Sequence, residues 1–151
     1  MRFTTFLQDG CPTLGVVDGE HVVSLGTELR AALTAGTDLP AAGRAALASA
    51  APRLPLAGLT FAPLVPEPGK TVCLGLNYFD HAKEGGRTEK PTYPWFFFRG
   101  KSSLVAHGQP GICPKVSEKF DYEAEMAVVI GKTVPRHVSQ ADALNYVFGY
   151  T

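Results

Sequence analysis

The chain has 151 residues, of which 45% are hydrophobic and 19% charged, as in a soluble globular protein. Its 14 basic residues balance its 14 acidic residues, so nucleic acid is not expected as a partner. No apolar run approaches the ~20 residues that cross a bilayer, and the first residues lack the apolar segment of a secretory signal. We therefore expect a cytoplasmic protein that binds neither nucleic acid nor a membrane.

The first part of the chain predicts a small α/β unit. Turn signals separate its β-prone runs, and the pair Asp18-Gly19 between apolar residues is typical of a two-residue hairpin. Leucines four residues apart predict one helix, and an alanine-rich stretch that ends before Pro52 predicts another. The strands are predicted at residues 3–7, 14–17 and 21–24, and the helices at 27–35 and 41–50.

A proline-rich connector follows the second predicted helix. Five of the residues at positions 52–69 are prolines, which fix φ and remove backbone donors. This composition favours an extended segment between two folded parts. We predict a small N-terminal domain with its linker over residues 1–65 and a second domain over residues 66–151.

The second part carries shorter elements with a more aromatic and apolar character. The apolar run that ends at Gly131 predicts a strand buried on both faces, and the pair Ser139 and Asp142 resembles a capping box before a helix. Strands are predicted at residues 71–76, 95–98 and 122–130, and helices at 77–84 and 139–147.

Two carboxylates in the predicted buried strand are the sharpest chemical feature. Side chains two apart in a strand project from the same face, so Glu123 and Glu125 would lie side by side. Such a pair needs a proton, a basic side chain or a metal ion, and hard cations such as Mg²⁺ prefer carboxylate oxygens. The alternative is an edge strand with two solvated glutamates.

Two further features could carry chemistry. In a helix, His81 and Glu84 are three residues apart and can touch, which suits a general base as well as a surface ion pair. Arg99 and Lys101 follow the predicted aromatic strand, where they could hold a substrate carboxylate or an enolate, or be ordinary solvated charges.

Taken in order, these segments resemble the fumarylacetoacetate hydrolase family. Each motif is weak alone, but the order and spacing of the motifs together are specific, and they extend over somewhat more than half of the chain. The matching segments are Cys73-Leu74-Gly75-Leu76-Asn77-Tyr78, His81 with Glu84, Arg99 with Ser102-Ser103-Leu104, Asp121 to Glu125, Val128 to Lys132, and Gly149-Tyr150-Thr151.

The resemblance implies an α+β fold in which the small N-terminal α/β domain precedes a mixed β-roll of the fumarylacetoacetate hydrolase type. It implies a divalent metal, Mg²⁺ or else Mn²⁺ or Ca²⁺, with Glu123 and Glu125 as two of its three carboxylate ligands. It also implies that His81 and Glu84 activate water from a segment that closes as a lid. Arg99 stands where the family usually has lysine, so either Arg99 or Lys101 would hold the substrate or stabilise the enolate.

The implied function is hydrolysis of a C–C bond in a small 2-oxo or 1,3-dicarbonyl acid through an enolate that the metal stabilises. Isomerisation or decarboxylation of a related 2-oxo acid is one alternative, and a truncated binding module without catalysis is another. The resemblance places the third metal carboxylate after Thr151. We therefore expect an N-terminal fragment with an incomplete β-roll, inactive alone, from an enzyme that is a homodimer in its full-length form.

Overall fold

The computed structural model describes residues 1–122 and 124–151. Within these residues the chain forms eight strands, three α-helices and three short 3₁₀ turns. The strands β1 to β8 are Phe3–Gln8, Cys11–Asp18, His21–Ser24, Arg53–Pro55, Thr71–Gly75, Trp95–Arg99, Val128–Ile130 and Val147–Tyr150. The helices α1 to α3 are Leu29–Thr34, Leu39–Ala48 and Phe79–Glu84, and the 3₁₀ turns are Leu56–Gly58, Lys101–Ser103 and Ala143–Tyr146.

The first four strands form an antiparallel sheet in the order β1-β2-β3-β4. Gln8 pairs with Cys11, and the two residues between them, Asp9 and Gly10, have φ of 52° and 77°. Positive φ at both positions is the conformation that matches the twist of a two-residue hairpin. The Asp18-Gly19 signal also marks a hairpin, because Asp18 pairs with His21 and Gly19 has φ of 57°.

Helices α1 and α2 pack on this sheet and complete the core. Leu14 of β2 clusters with Leu29, Ala32 and Leu39 of the helices, and all four side chains are buried. Each helix begins at an acidic cap: Glu28 accepts hydrogen bonds from two backbone amides of α1, and Asp38 accepts one from Ala41. Such caps satisfy amides that have no partner within the helix.

The proline-rich connector packs against the first sheet and does not extend into solvent. Its start forms β4, which pairs with β3, and Phe61 forms a bridge with Phe6 of β1. The hydroxyl of Thr5 donates to the carbonyl of Leu64 at 2.8 Å. The strand β4 was not among the predicted elements, because it is short and contains a proline at its edge.

The second part contains two small antiparallel sheets. β5 pairs with β6 over five residue pairs, and β7 pairs with β8. The outer face of the first pair is apolar and exposed: Val72, Leu74, Phe96 and Phe98 are 39 to 72% accessible. Among the described residues, nothing covers this hydrophobic face of the β5–β6 sheet.

Two predicted elements differ from the structure. The strand predicted at residues 122–130 is confirmed only over Val128–Ile130, and the expected burial on both faces is wrong. Val128 and Ile130 are exposed because, within the described residues, β8 is the only strand paired with β7. The helix predicted at residues 139–147 is also wrong. Ser139 does bond Asp142, but only a 3₁₀ turn follows, since pairing with β7 draws the chain into β8 from Val147 onward.

The architecture mixes helices and strands, with the helical layer confined mainly to the first part. Val129 of β7 and Phe148 of β8 pack against the core of the first part, and the rings of Phe3 and Phe148 lie 5.8 Å apart. The division of the chain at residue 65 remains a prediction. Among the described residues, none of the helices has the length and apolarity to span a bilayer.

Candidate functional site

The structure brings His81 and Glu84 together on α3. β5 ends at Gly75, Leu76 adopts a left-handed conformation with φ of 56°, and the helix begins three residues later. His81 Nδ1 lies 3.4 Å from Glu84 Oε2, with 70% and 78% of the two side chains accessible. With its proton on Nδ1, the imidazole can donate to this carboxylate and leave Nε2 to accept a proton.

A tyrosine at the start of α3 contacts the segment that carries the predicted metal carboxylates. The backbone amide of Met126 donates to the hydroxyl of Tyr78, with 3.4 Å between nitrogen and oxygen. Met126 directly follows Glu125, whose side chain is exposed. The His81–Glu84 helix and this predicted ligand are thus linked through one hydrogen bond between residues 48 apart in sequence.

Glu123, the other predicted metal ligand, lies outside the described residues. Within the described part of the chain, no three His, Cys, Asp or Glu side chains are grouped closely enough to hold a metal ion. Of the two predicted ligands, Glu125 is the described one, and its carboxylate is a hard oxygen donor of the kind that Mg²⁺ or Mn²⁺ prefers. The described residues therefore do not form a metal centre by themselves, and the metal-ligand roles stay predictions.

Arg99 and Lys101 lie away from the helix that carries His81. Arg99 pairs with Thr71 at one end of the β5–β6 ladder, whereas α3 follows Gly75 at the other end. Four strand residues separate these ends, a distance of about 13 Å. The guanidinium of Arg99 lies 5.4 Å from the centroid of the Phe97 ring.

Lys101 is engaged by the connector. Its ammonium group lies 2.9 and 3.0 Å from the two carboxylate oxygens of Glu67, and Arg30 donates to the carbonyl of the same glutamate at 2.9 Å. A lysine held by both oxygens of a carboxylate has less freedom to bind an anionic substrate. Arg99 and Lys101 both stay predicted substrate-binding residues.

The sequence analysis did not predict Tyr78 as a residue of the functional site. It was part of the motif Asn77-Tyr78 on which the family resemblance rested, but no spacing rule connects it with Met126. The sequence did contain one indication of this contact, because Tyr78 precedes the His81–Glu84 pair. A tyrosine side chain is apolar along its ring and polar at its hydroxyl, so it can connect two segments of the chain.

The second part of the chain matches a known family profile. The profile described as fumarylacetoacetate (FAA) hydrolase C-terminal matches residues 70–151, which is more than half of the chain. Oxaloacetate tautomerase Fahd2a, mitochondrial, of Rattus norvegicus is 41% identical over 108 residues, covering 72% of this chain and 34% of that protein. The fumarylacetoacetate hydrolase domain-containing protein 2 homolog of Dictyostelium discoideum is 44% identical over 85 residues, covering 56% of this chain and 27% of that protein.

Solved structures share the fold over nearly the whole chain. Maleylpyruvate hydrolase from Sphingobium sp. SYK-6, solved with manganese(II) and pyruvate, has a TM-score of 0.75 at 27% identity, covering 99% of this chain and 56% of that one. Fumarylacetoacetate hydrolase from Exiguobacterium antarcticum has a TM-score of 0.64 at 26% identity, covering 98% of this chain and 53% of that one.

These similarities define a protein of the fumarylacetoacetate hydrolase fold. The chain belongs to the fumarylacetoacetate hydrolase family, as the order of its motifs indicated. It spans roughly a quarter to a third of the length of these two curated relatives and just over half of the two solved structures.

Proposed function

We propose that the protein cleaves a C–C bond in a small 2-oxo or 1,3-dicarbonyl acid, with a divalent metal as cofactor. The observation that carries this proposal is the hydrogen bond between Tyr78 and Met126, because it joins the helix of the His81–Glu84 pair to the segment of Glu125. Family membership supports the reaction class, and the manganese and pyruvate of the Sphingobium hydrolase support a divalent cation and a 2-oxo acid.

The His81–Glu84 pair supplies the proton transfers in this reaction. His81 Nε2 accepts a proton from water while Glu84 holds the proton on Nδ1, and the resulting hydroxide adds to the distal carbonyl carbon. The C–C bond then breaks, its electron pair passes to the 2-oxo acid as an enolate, and a carboxylic acid is released. The proton on the imidazole returns to the enolate carbon, which regenerates neutral His81.

The proposed cofactor is Mg²⁺, with Mn²⁺ or Ca²⁺ as alternatives, and its proposed ligands are Glu123 and Glu125. Carboxylates suit these hard cations, and a bound cation polarises a 2-oxo acid. Arg99 or Lys101 is the proposed cation for a substrate carboxylate, and a guanidinium such as that of Arg99 can bind a carboxylate with two parallel hydrogen bonds. A homodimer and a cytoplasmic location remain further proposals.

The metal part of the proposal is tested by Mn²⁺ binding to the 151-residue chain, followed by electron paramagnetic resonance with and without oxalate as a 2-oxo acid mimic. Two carboxylates leave most of the coordination shell to water, so we expect weak binding that oxalate strengthens. The double substitution Glu123→Gln and Glu125→Gln should weaken binding about tenfold or more. Equal Mn²⁺ affinity of the double variant and the wild type would contradict the ligand assignment.

A second candidate is tautomerisation of a 2-oxo acid, which the 41% identity to an oxaloacetate tautomerase favours. The same His81–Glu84 pair would then move a proton between carbon and the enol oxygen, without water addition or bond cleavage. Supplying an acylpyruvate and the enol of oxaloacetate in parallel separates the two reactions. Release of pyruvate from the acylpyruvate identifies a hydrolase. Loss of the enol absorbance of oxaloacetate without cleavage of a C–C bond identifies a tautomerase.

A further inference from the structure

A cleft of about 370 Å³ opens beside the loop that joins β5 to α3. Residues 74–77 and Phe79 form one wall, and residues 90–94 form the other. Leucine, phenylalanine and proline side chains supply an apolar lining, and the polar groups come from Asn77, Lys90, Thr92 and Tyr93. An apolar wall with a few convergent polar groups is the usual composition of a small-molecule site.

Lys90 gives this cleft a positive charge that is available to a ligand. Its ammonium nitrogen lies 5.8 Å from the centroid of the Phe79 ring, within the range of a cation–π contact. Lys83 lies over the same ring at 4.6 Å, but its charge is compensated by Asp80 at 2.9 Å. Among the described residues, no carboxylate lies within ion-pair distance of Lys90.

The backbone of the cleft wall is held in a costly conformation. Leu76 has φ of 56°, a left-handed backbone conformation that residues other than glycine, asparagine and aspartate rarely adopt. Such strain persists where the surrounding structure fixes it, and it is concentrated at binding and catalytic sites. The turn directs the chain from β5 into Asn77 and then into the α3 helix, so it shapes the cleft and positions α3 at once.

We propose that this cleft binds the second carboxylate of a dicarboxylic substrate, with Lys90 as the cation that selects for it. The inference rests on the proposed function and deepens it. Asn77 of the cleft wall adjoins Tyr78, whose hydroxyl contacts Met126 next to Glu125. The cleft wall is thus adjacent in sequence to the residue that contacts the carboxylate segment.

The position of the cleft relative to α3 determines which end of the substrate it takes. A helix turns about 100° per residue, so His81 projects about 200° away from Phe79, on the opposite face of α3. The cleft therefore adjoins the face without the proton-transfer pair. It accepts the end of the substrate that does not react, where a charged group contributes binding and discrimination.

Trp95 offers a built-in reporter for the test. It is the single tryptophan of the chain, it follows Pro94 of one wall, and it pairs with Gly75 of the other wall. Succinate is titrated into the 151-residue chain in the presence of EDTA and at constant ionic strength, and uncharged succinamide is titrated in parallel. We expect a saturable change in tryptophan fluorescence with succinate and none with succinamide.

Two lysine variants make the test specific. Lys90→Met removes the charge but keeps a long side chain, and it should weaken succinate binding about tenfold or more, as for loss of a charge-assisted hydrogen bond. Lys132→Met is the matched control, because that ammonium group also lies over an aromatic ring, 5.1 Å from the centroid of Tyr146, but near the β7–β8 sheet. The control should bind succinate as the wild type does.

The proposal is overturned if Lys90→Met binds succinate as tightly as the wild type, if succinamide binds equally well, or if no saturable change occurs. Since the titration is done without metal, its result is independent of the Mn²⁺ experiment. Lys90-dependent succinate binding without Mn²⁺ binding would refute only the metal assignment. Mn²⁺ binding without Lys90-dependent succinate binding would refute only the cleft.

Discussion

Replacing Gly15 by alanine should destabilise the first sheet. Gly15 lies in the central part of β2, where it pairs with Thr4 of β1 and Ser24 of β3. A Cβ atom at this position would overlap Cγ2 of Val22, and it would lie 3.0 Å from Cε1 of Phe6 and 3.1 Å from the carbonyl oxygen of Val23. Val22 and Phe6 are fully buried, so neither side chain has solvent to move into.

The expected magnitude follows from two opposing terms. Adding a methyl group to a packed site typically costs about 1–3 kcal/mol. Alanine also restricts the unfolded chain, which returns about 0.4–1 kcal/mol when the native conformation suits it. The net loss is therefore about 1–2 kcal/mol. With a urea m-value of about 2 kcal/mol/M, in the middle of the usual range, the unfolding midpoint should fall by roughly 0.5–1 M.

Urea unfolding followed by far-ultraviolet circular dichroism measures this loss, with Gly58→Ala as the matched control. Gly58 ends the 3₁₀ turn after β4, and no atom lies within 4 Å of the position where its Cβ would be. The control gains the unfolded-state term without the steric cost, so its midpoint should stay or rise. Equal midpoints for the two variants would refute the argument that Gly15 is required by close packing.

Three further substitutions test the core and the site. Leu29→Ala, at a fully buried position of α1, should cost about 2–5 kcal/mol in urea unfolding, and a cost below about 1 kcal/mol would contradict its place in the core. Tyr78→Phe should speed amide hydrogen exchange at Met126 about twofold, the effect of a weak exposed hydrogen bond, whereas an unchanged rate would mean that the bond is not formed in solution. In the full-length protein, His81→Ala should lower turnover without changing Mn²⁺ affinity, and weaker Mn²⁺ binding would identify the imidazole as a ligand instead of a base.

Elements defined by local sequence were predicted closely. The strand at residues 21–24 has the predicted bounds. Its signals, a turn directly before it and apolar residues within it, all lie in neighbouring positions of the sequence. The short helix that carries His81 and Glu84 was also expected within residues 77–84, and its i,i+3 contact depends only on helix geometry.

Features that depend on distant contacts were missed or misjudged. The contact of Lys101 with Glu67 joins residues 34 apart, and no local pattern predicts it. The run that ends at Ile130 was apolar enough for a buried strand, yet a strand is buried only when neighbouring strands or helices cover it. In the part of the chain that the structure describes, β8 is the single strand beside β7, which is three residues long and leaves its outer side chains in solvent.

The proposed site depends on how firmly α3 is held, because its proton-transfer pair is largely exposed. Proton transfer by an exposed pair competes with bulk water, so the pair becomes effective when a ligand orders the helix and excludes solvent. The proposed cleft and the proton-transfer pair lie on opposite faces of α3, and the loop at Asn77 and Tyr78 connects them. Binding of a carboxylate at Lys90 would therefore restrain α3 from the face that does not react. In this arrangement, binding energy from the non-reacting end of the substrate is used to position His81.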